Sequence, residues 1–78
     1  MISFLRGKIQ NKGQNFIIVD VRDVGYKVFV NNVQYEEFDM GANVDLYTHH
    51  HIREDAMDLY GFKSLEELEV FQLLLSIS

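Results

Sequence analysis

Apolar and polar residues alternate along most of the first 62 positions, and this period of two is typical of β-strands that bury one face. In the first such segment Leu5 and Ile9 share a face, and Gly7 lies between them, where a glycine suits a sharp bend of a barrel strand. The alternation predicts five strands, over residues 2–10, 15–21, 26–30, 44–52 and 56–62.

Residues that favour turns separate these segments. Tight connections are predicted over residues 11–14 and 22–25, where asparagine, glycine and aspartate cluster. Asn31 and Asn32 can cap a short helix over residues 33–38, and Gly41 ends this helical segment between the strands. Three strands, a short helix and two further strands follow the element order of an OB-fold, a five-stranded barrel. The predicted fold is therefore mainly β.

The hydrophobic period changes after position 63. Ser64 followed by Glu67 forms a capping box, so a C-terminal α-helix should begin there. Its apolar residues cover more than one stripe. They are Leu65, Leu68, Val70, Phe71, Leu73, Leu74, Leu75 and Ile77. Because a small barrel can cover only one side, this helix should pack against something further. We therefore divide the chain into a barrel over residues 1–62 and a separate helical segment over 63–78.

Composition narrows the classes of function. The chain of 78 residues contains no cysteine, which excludes disulfides and thiolate zinc sites. No signal peptide or membrane span is expected from its apolar runs, so a cytoplasmic location is the default. The net charge of −5 argues against this chain clamping duplex DNA by itself, because affinity for the phosphate backbone comes mainly from lysine and arginine.

Two polar runs could carry chemistry. In a strand His49 and His51 would share one face, and with a carboxylate from Glu54 or Asp55 they could bind a metal ion, although surface histidines are the commoner explanation. The run Arg53, Glu54, Asp55 falls at the expected tip of a β-hairpin. Without a cleft these charges would simply be solvated, so a paired-carboxylate catalyst is not expected.

The remaining motifs do not predict catalysis. The chain contains no glycine-rich phosphate loop, nucleophile elbow or zinc-finger spacing. Seven aromatic residues fall on predicted strands. Although OB-folds can stack bases on such rings, most of these side chains are expected to be core at alternating positions of a small barrel. They are Phe4, Phe16, Tyr26, Phe29, Tyr47, Tyr60 and Phe62. We expect no cofactor and no enzymatic activity from this chain.

Several short strings, in order, resemble the RuvA family across essentially the whole chain. The opening MISFLRG is similar to the family's MI-x-x-LRG. VGYKV is similar to its GVGY-x-V strand, with Asp23 where the family usually has glycine. Tyr47-Thr48-His49, then REDA over residues 53–56, then LYGF over 59–62 follow the family pattern at its usual spacing. The last eight residues, FQLLLSIS, resemble the segment that leads into the family's first helix-hairpin-helix.

The resemblance implies a scaffold for Holliday-junction branch migration in recombination and DNA repair. In that family an OB-fold domain carries an acidic pin, here matched by Glu54 and Asp55, with Arg53 as a DNA-proximal candidate. Four subunits surround a four-way junction, a second domain binds the DNA backbone, and a third recruits the motor RuvB. The resolvase RuvC is a further implied partner. On this basis residues 63–78 would start the helix-hairpin-helix domain, and the chain would stop where the glycine-rich turn of the first hairpin should begin.

Two other functions remain open on the residues alone. A generic OB-fold module could bind single-stranded nucleic acid, and its discriminator would be salt-sensitive binding by the isolated chain. A metal-dependent enzyme built on His49, His51 and a tip carboxylate would show stoichiometric zinc binding that shifts the melting temperature.

Overall fold

The structure, a computed structural model, describes residues 1–77; Ser78, the last residue of the predicted 63–78 segment, lies outside the described residues. The elements in chain order are β1 (Phe4–Lys12), β2 (Phe16–Val21), β3 (Val24–Phe29), α1 (Asn32–Glu37), β4 (Asn43–Ile52), β5 (Met57–Phe62) and α2 (Leu65–Ile77).

The strands close into a barrel in the order β1-β2-β3-β5-β4. All neighbours are antiparallel except β3 and β5, which pair in parallel over the short register Val28 to Leu59 and Phe29 to Tyr60. The short helix α1 lies between strands three and four, and α2 follows the barrel. This architecture confirms the predicted five-stranded OB-fold with its short internal helix and C-terminal helix.

The barrel interior is aliphatic. Side chains at alternate positions of the strands point inward, and Ile17, Val19, Val28 and Leu46 are fully buried. The whole core cluster consists of Leu5, Ile9, Ile17, Val19, Val28, Val30, Phe38, Leu46 and Leu59. Phe38, just after α1, is its one aromatic member. The faces predicted for Leu5, Ile9, Ile17 and Val19 are thereby confirmed.

The expectation that most strand aromatics belong to the core is wrong. None of the seven is buried, and only Tyr26 packs against the core cluster from a half-buried position. The others occupy the opposite strand parity, as Phe16 does beside buried Ile17 and Phe29 beside buried Val28. A narrow five-stranded barrel is filled by branched aliphatic side chains, so the rings lie on its outer surface.

Two predicted turns are misplaced because the structure uses tighter connections. Asn11 and Lys12, expected in a turn, extend β1 and pair with Ile18 and Ile17 after a bulge beyond Ile9. The turn between β2 and β3 contains only Arg22 and Asp23, at φ values of 51° and 72°. This left-handed pair suits a two-residue hairpin, which lets β3 begin at Val24 rather than at residue 26.

A buried glutamine fastens α1 to the barrel. Asn31 caps the helix by accepting a hydrogen bond from the Gln34 backbone at 2.8 Å, as the sequence predicted. The Gln34 side chain donates to the Gly61 carbonyl at 2.9 Å and accepts from the Lys63 backbone at 2.8 Å. Because both polar atoms have hydrogen-bond partners, these bonds offset the cost of burying Gln34, and they fix the start of the connection to α2.

Replacing Gly7 with alanine should destabilise the barrel by about 1–3 kcal/mol, the usual range for overpacking. A Cβ at Gly7 would clash with the backbone carbonyl oxygen of Asp20 in β2, so the two strands would have to separate. Gly25→Ala is the matched control, since its Cβ would meet only the movable Ile18 side chain at 3.2 Å. Urea unfolding measures both variants, and equal midpoints would contradict the close approach at Gly7.

Candidate functional site

The hairpin between β4 and β5 extends beyond the barrel. β1 pairs with β4 only as far as Tyr47, and β3 pairs with β5 only from Leu59 onward. Beyond those positions β4 and β5 continue to pair with each other, up to Ile52 opposite Met57. Those two side chains are 61% and 70% exposed, which shows that no other element covers this end. The hairpin therefore presents its tip to solvent on an ordered two-stranded base.

The tip holds two exposed carboxylates. A backbone hydrogen bond from Arg53 to the Ala56 carbonyl, 2.7 Å long, closes the bend and leaves Glu54 and Asp55 as its two central residues. Both are exposed, and within residues 1–77 neither takes part in a salt bridge. The predicted position of this pair at a hairpin tip agrees with the structure.

Arg53 has a partner that sequence reasoning missed. Its guanidinium donates to the carboxylate of Asp58 on β5 at 2.6 Å. The two residues form a diagonal cross-strand pair, because Arg53 shares an outward face with His51, and His51 lies opposite Asp58. A diagonal contact of this kind follows from the hairpin register, which the sequence alone did not fix. Arg53 is thus held along the hairpin and away from its apex.

Thr48 and His50 anchor the amino terminus beside the hairpin, and sequence reasoning missed this role as well. The Thr48 hydroxyl donates to the Ile2 carbonyl at 2.6 Å, and the Ile2 backbone donates to Nδ1 of His50 at 3.0 Å. Both residues have the inward parity of buried Leu46. This alternation along β4 is the only feature of the sequence from which a different orientation could have been predicted for His50 than for His49 and His51.

The histidine run is not joined by a third potential ligand in the described part of the chain. His49 and His51 lie on the same outer face, as predicted, with ring centroids 5.9 Å apart. However, no group of three or more potential ligands converges anywhere in residues 1–77. The carboxylates of the tip therefore do not complete the site that the sequence suggested, and His49 instead contacts α2.

Helix α2 docks on the outer face of β4 and β5 through one turn. Ser64 caps it by accepting a hydrogen bond from the Glu67 backbone at 3.2 Å, and Leu68 is its one buried residue. The ring of Phe71 lies 4.9 Å from that of Phe62 and 5.6 Å from that of His49. Gln72 adds a polar contact of 3.3 Å to Nδ1 of His49.

Most of the remaining apolar surface of α2 is exposed, as its sequence predicted. Val70, Leu73 and Leu74 are 57–60% exposed. A groove of about 720 Å³ separates α2 from α1 and the barrel. Its apolar lining includes Phe29, Val33, Tyr60, Val70 and Leu74, and Glu37, Glu66 and Glu67 contribute carboxylates to it.

A row of rings crosses the outside of the barrel near this groove. Phe16 lies opposite Phe29 in the β2–β3 register, and Phe29 lies beside Tyr60 of β5, with centroids 6.3 Å and 5.7 Å apart. The ammonium of Lys27 lies 4.4 Å from the ring centroid of Phe16 and 5.3 Å from that of Phe29. Such a surface combines stacking faces with one cation.

None of the helices in the described residues has the length and apolar character that a membrane crossing requires.

Known proteins are similar to this chain over its entire length. Residues 1–61 match the family model of the RuvA N terminal domain. The chain is 46% identical over 79 aligned residues to a protein of Geotalea daltonii and 39% identical to one of Acetivibrio thermocellus. A protein of Francisella tularensis subsp. novicida is 42% identical. Each relative is described as a Holliday junction branch migration complex subunit RuvA. The alignments cover 100% of this chain and 37–40% of each relative.

Acidification should weaken the docking of α2 through His49. Burial lowers the pKa of the His49 ring from its ordinary value of 6.5, and His51 and His50 lower it further; the ring contacts Phe71 and Gln72 of α2. Below about pH 6.5 the His49 ring therefore binds more protons in the unfolded than in the folded chain, so its contribution to the free energy of unfolding falls until the pH passes the folded pKa. Urea midpoints at about pH 7.5 and pH 5.5 measure this effect. His49→Gln should reduce the pH dependence, and an unchanged dependence in that variant would contradict the assignment.

Proposed function

Because the chain belongs to the RuvA family, we propose that it serves as the barrel module of a Holliday-junction branch-migration scaffold. In this function Glu54 and Asp55 form an acidic pin at the junction centre. The observation that carries the proposal is the exposed tip, where two carboxylates that form no ion pair within residues 1–77 stand at the end of the β4–β5 hairpin. The pin forms no covalent bond, and the module is a non-catalytic subunit.

The pin acts by repulsion. Two unit charges of like sign at 4 Å repel by about 1 kcal/mol in bulk water, and more where water is excluded. At physiological salt the screening length is about 8 Å, so the effect is confined to phosphates close to the tip. A continuous duplex lying across the tip is therefore penalised, whereas strands that separate to either side avoid the charges. Discrimination against linear duplex follows from the repulsive element itself.

The net charge of −5 is compatible with this role. Affinity for the DNA backbone would come from parts that correspond to the remaining length of the relatives, and the barrel would contribute selectivity. We place the boundary of the barrel module near residue 62 and propose that residues 63–78 begin the DNA-binding region. Two facts support this division: the family match ends at residue 61, and α2 buries only Leu68.

The proposed assembly is a tetramer around four-way junction DNA in the bacterial cytoplasm, with RuvB as the ATP-driven motor and RuvC as the resolvase. The relatives' description as subunits of a branch migration complex supports partnership with a motor and with junction DNA. Arg53 remains a candidate for DNA contact because its side chain is 54% exposed. Its guanidinium is already paired with Asp58, so any such contact would have to share or replace that ion pair.

Neutralising the pin should loosen discrimination without abolishing junction binding. The experiment places this chain in the RuvA protein of Geotalea daltonii in place of the 79 aligned residues, which supplies the rest of the molecule. Glu54→Gln with Asp55→Asn should raise affinity for linear duplex on the order of tenfold, because two like-charge contacts are lost. Affinity for a four-way junction should change much less.

A matched control removes the same charges elsewhere. Glu36→Gln with Asp39→Asn also deletes one glutamate and one aspartate from exposed positions, near α1 rather than at the tip. This variant should leave the ratio of junction to duplex affinity close to that of the parent. The proposal fails if both double variants change the ratio equally, or if neither changes it.

Single-strand binding is a second candidate, favoured by the ring row of Phe16, Phe29 and Tyr60 with Lys27 beside it. The acidic pin function predicts that the isolated chain binds oligothymidylate more weakly than about 100 µM at physiological salt, the weak end of non-specific affinity. Fluorescence anisotropy measures this. Micromolar binding that Lys27→Gln weakens and the matched control Lys8→Gln does not would favour the second candidate instead.

A further inference from the structure

The charge of the hairpin tip depends on where the Arg53 guanidinium lies. Arg53 adjoins Glu54 in sequence and is the only basic residue between His51 and Phe62. Its long side chain could pair with Glu54, Asp55 or Asp58, because all three carboxylates belong to the same hairpin. In the structure it selects Asp58, with an N–O distance of 2.6 Å. Within residues 1–77 the two tip carboxylates consequently have no salt-bridge partner.

Asp58 has two physical advantages over the tip carboxylates in this competition. Its side chain is 20% exposed, compared with 54% for Arg53, so the pair is partly shielded from water. It also lies in β5, opposite His51, where the strand register fixes its position. Glu54 and Asp55 are exposed residues of the bend. Since holding two mobile side chains together costs conformational entropy, a partly ordered carboxylate gives the better charge-assisted hydrogen bond.

We propose that Asp58 is a positioning residue that holds Arg53 along the side of the hairpin and so preserves the negative potential of Glu54 and Asp55. Without the Asp58 carboxylate, Arg53 turns toward the apex and offsets part of the tip charge. The importance of this potential for DNA rests on the proposed function. The potential itself is a property of this chain and can be measured without DNA.

The test is a double-mutant cycle of Asp58→Asn and Arg53→Gln in this chain of 78 residues. The readout is the paramagnetic relaxation that small cationic and anionic nitroxides cause at the backbone amides of Glu54 and Asp55. The cationic-to-anionic ratio of these effects reports the local potential. Asp58→Asn should lower the ratio by roughly twofold when Arg53 is present, the size expected for moving one screened charge by a few ångströms.

The Arg53→Gln background separates redirection of arginine from simple loss of charge. If Asp58 acts through Arg53, Asp58→Asn should change the ratio distinctly less when residue 53 is glutamine. Nuclear Overhauser contacts of the Arg53 guanidinium should also move from Asp58 to the tip residues in the single variant. Equal changes of the ratio in both backgrounds, or no change in either, would overturn the proposal, since Asp58 would then act by its own charge or not at all.

Two further variants guard against a structural artefact. Asp58→Glu keeps a carboxylate at this position and should retain a ratio near that of the parent chain. Asp58→Ser removes the carboxylate with a smaller side chain and should reproduce the effect of Asp58→Asn. The amide of Asp39, remote from the hairpin in the sequence, serves as the internal reference. If these expectations fail, the role of Asp58 is rejected. The acidic-pin proposal is unaffected by that result, because the junction-binding experiment with Glu54→Gln and Asp55→Asn tests it separately.

Discussion

The narrow interior of the five-stranded barrel is the constraint on which the rest of the structure depends. The largest fully buried side chains are Ile9, Ile17, Leu46, Val19 and Val28, and among the strand aromatics only Tyr26 packs against this core. Rings at the alternate positions are consequently forced outward, where they receive α2 and line its groove. Strands β4 and β5 are longer than the barrel requires, so their surplus length forms the hairpin that carries the charged tip.

The period of two was sufficient to predict the strands, because burial of one face leaves a local signature in each of them. The helix caps at Asn31 and Ser64 were equally predictable, since a capping side chain acts within three residues. The positions of the turns were harder to predict from the sequence than the strands and helix caps. Arg22 and Asp23 adopt left-handed backbone angles without glycine or asparagine, and their turn is supported by Asp20, whose carboxylate accepts from the Asp23 backbone at 2.8 Å.

In the candidate site, too, the features that depend on neighbouring residues in the sequence were predictable, and those that depend on contacts between distant residues were not. Sequence spacing placed Glu54 and Asp55 at a hairpin tip because turn chemistry and strand period are local. It did not indicate the Arg53–Asp58 pair, which depends on cross-strand register. It also could not assign His50 to the anchoring of Ile2 or Gln34 to the end of β5, because those bonds join residues 48 and 27 positions apart. The prediction that most strand aromatics belong to the core was wrong because the width of the barrel interior is set by all five strands together and leaves no mark on the alternation within one strand.

An acidic module is useful in DNA recognition only if its charge is concentrated where it discriminates. Negative charge spread over the whole surface would weaken the binding of any DNA. A projecting pair of carboxylates, whose field salt screens over about 8 Å, repels only the phosphates that lie close to the tip. In the proposed function the hairpin would meet this requirement, because its strands hold the tip beyond the barrel and because Arg53 pairs with Asp58 on one side. Selectivity of this kind depends on the placement of a few ions rather than on net charge, so the pairing of one arginine can matter more than the overall excess of carboxylates.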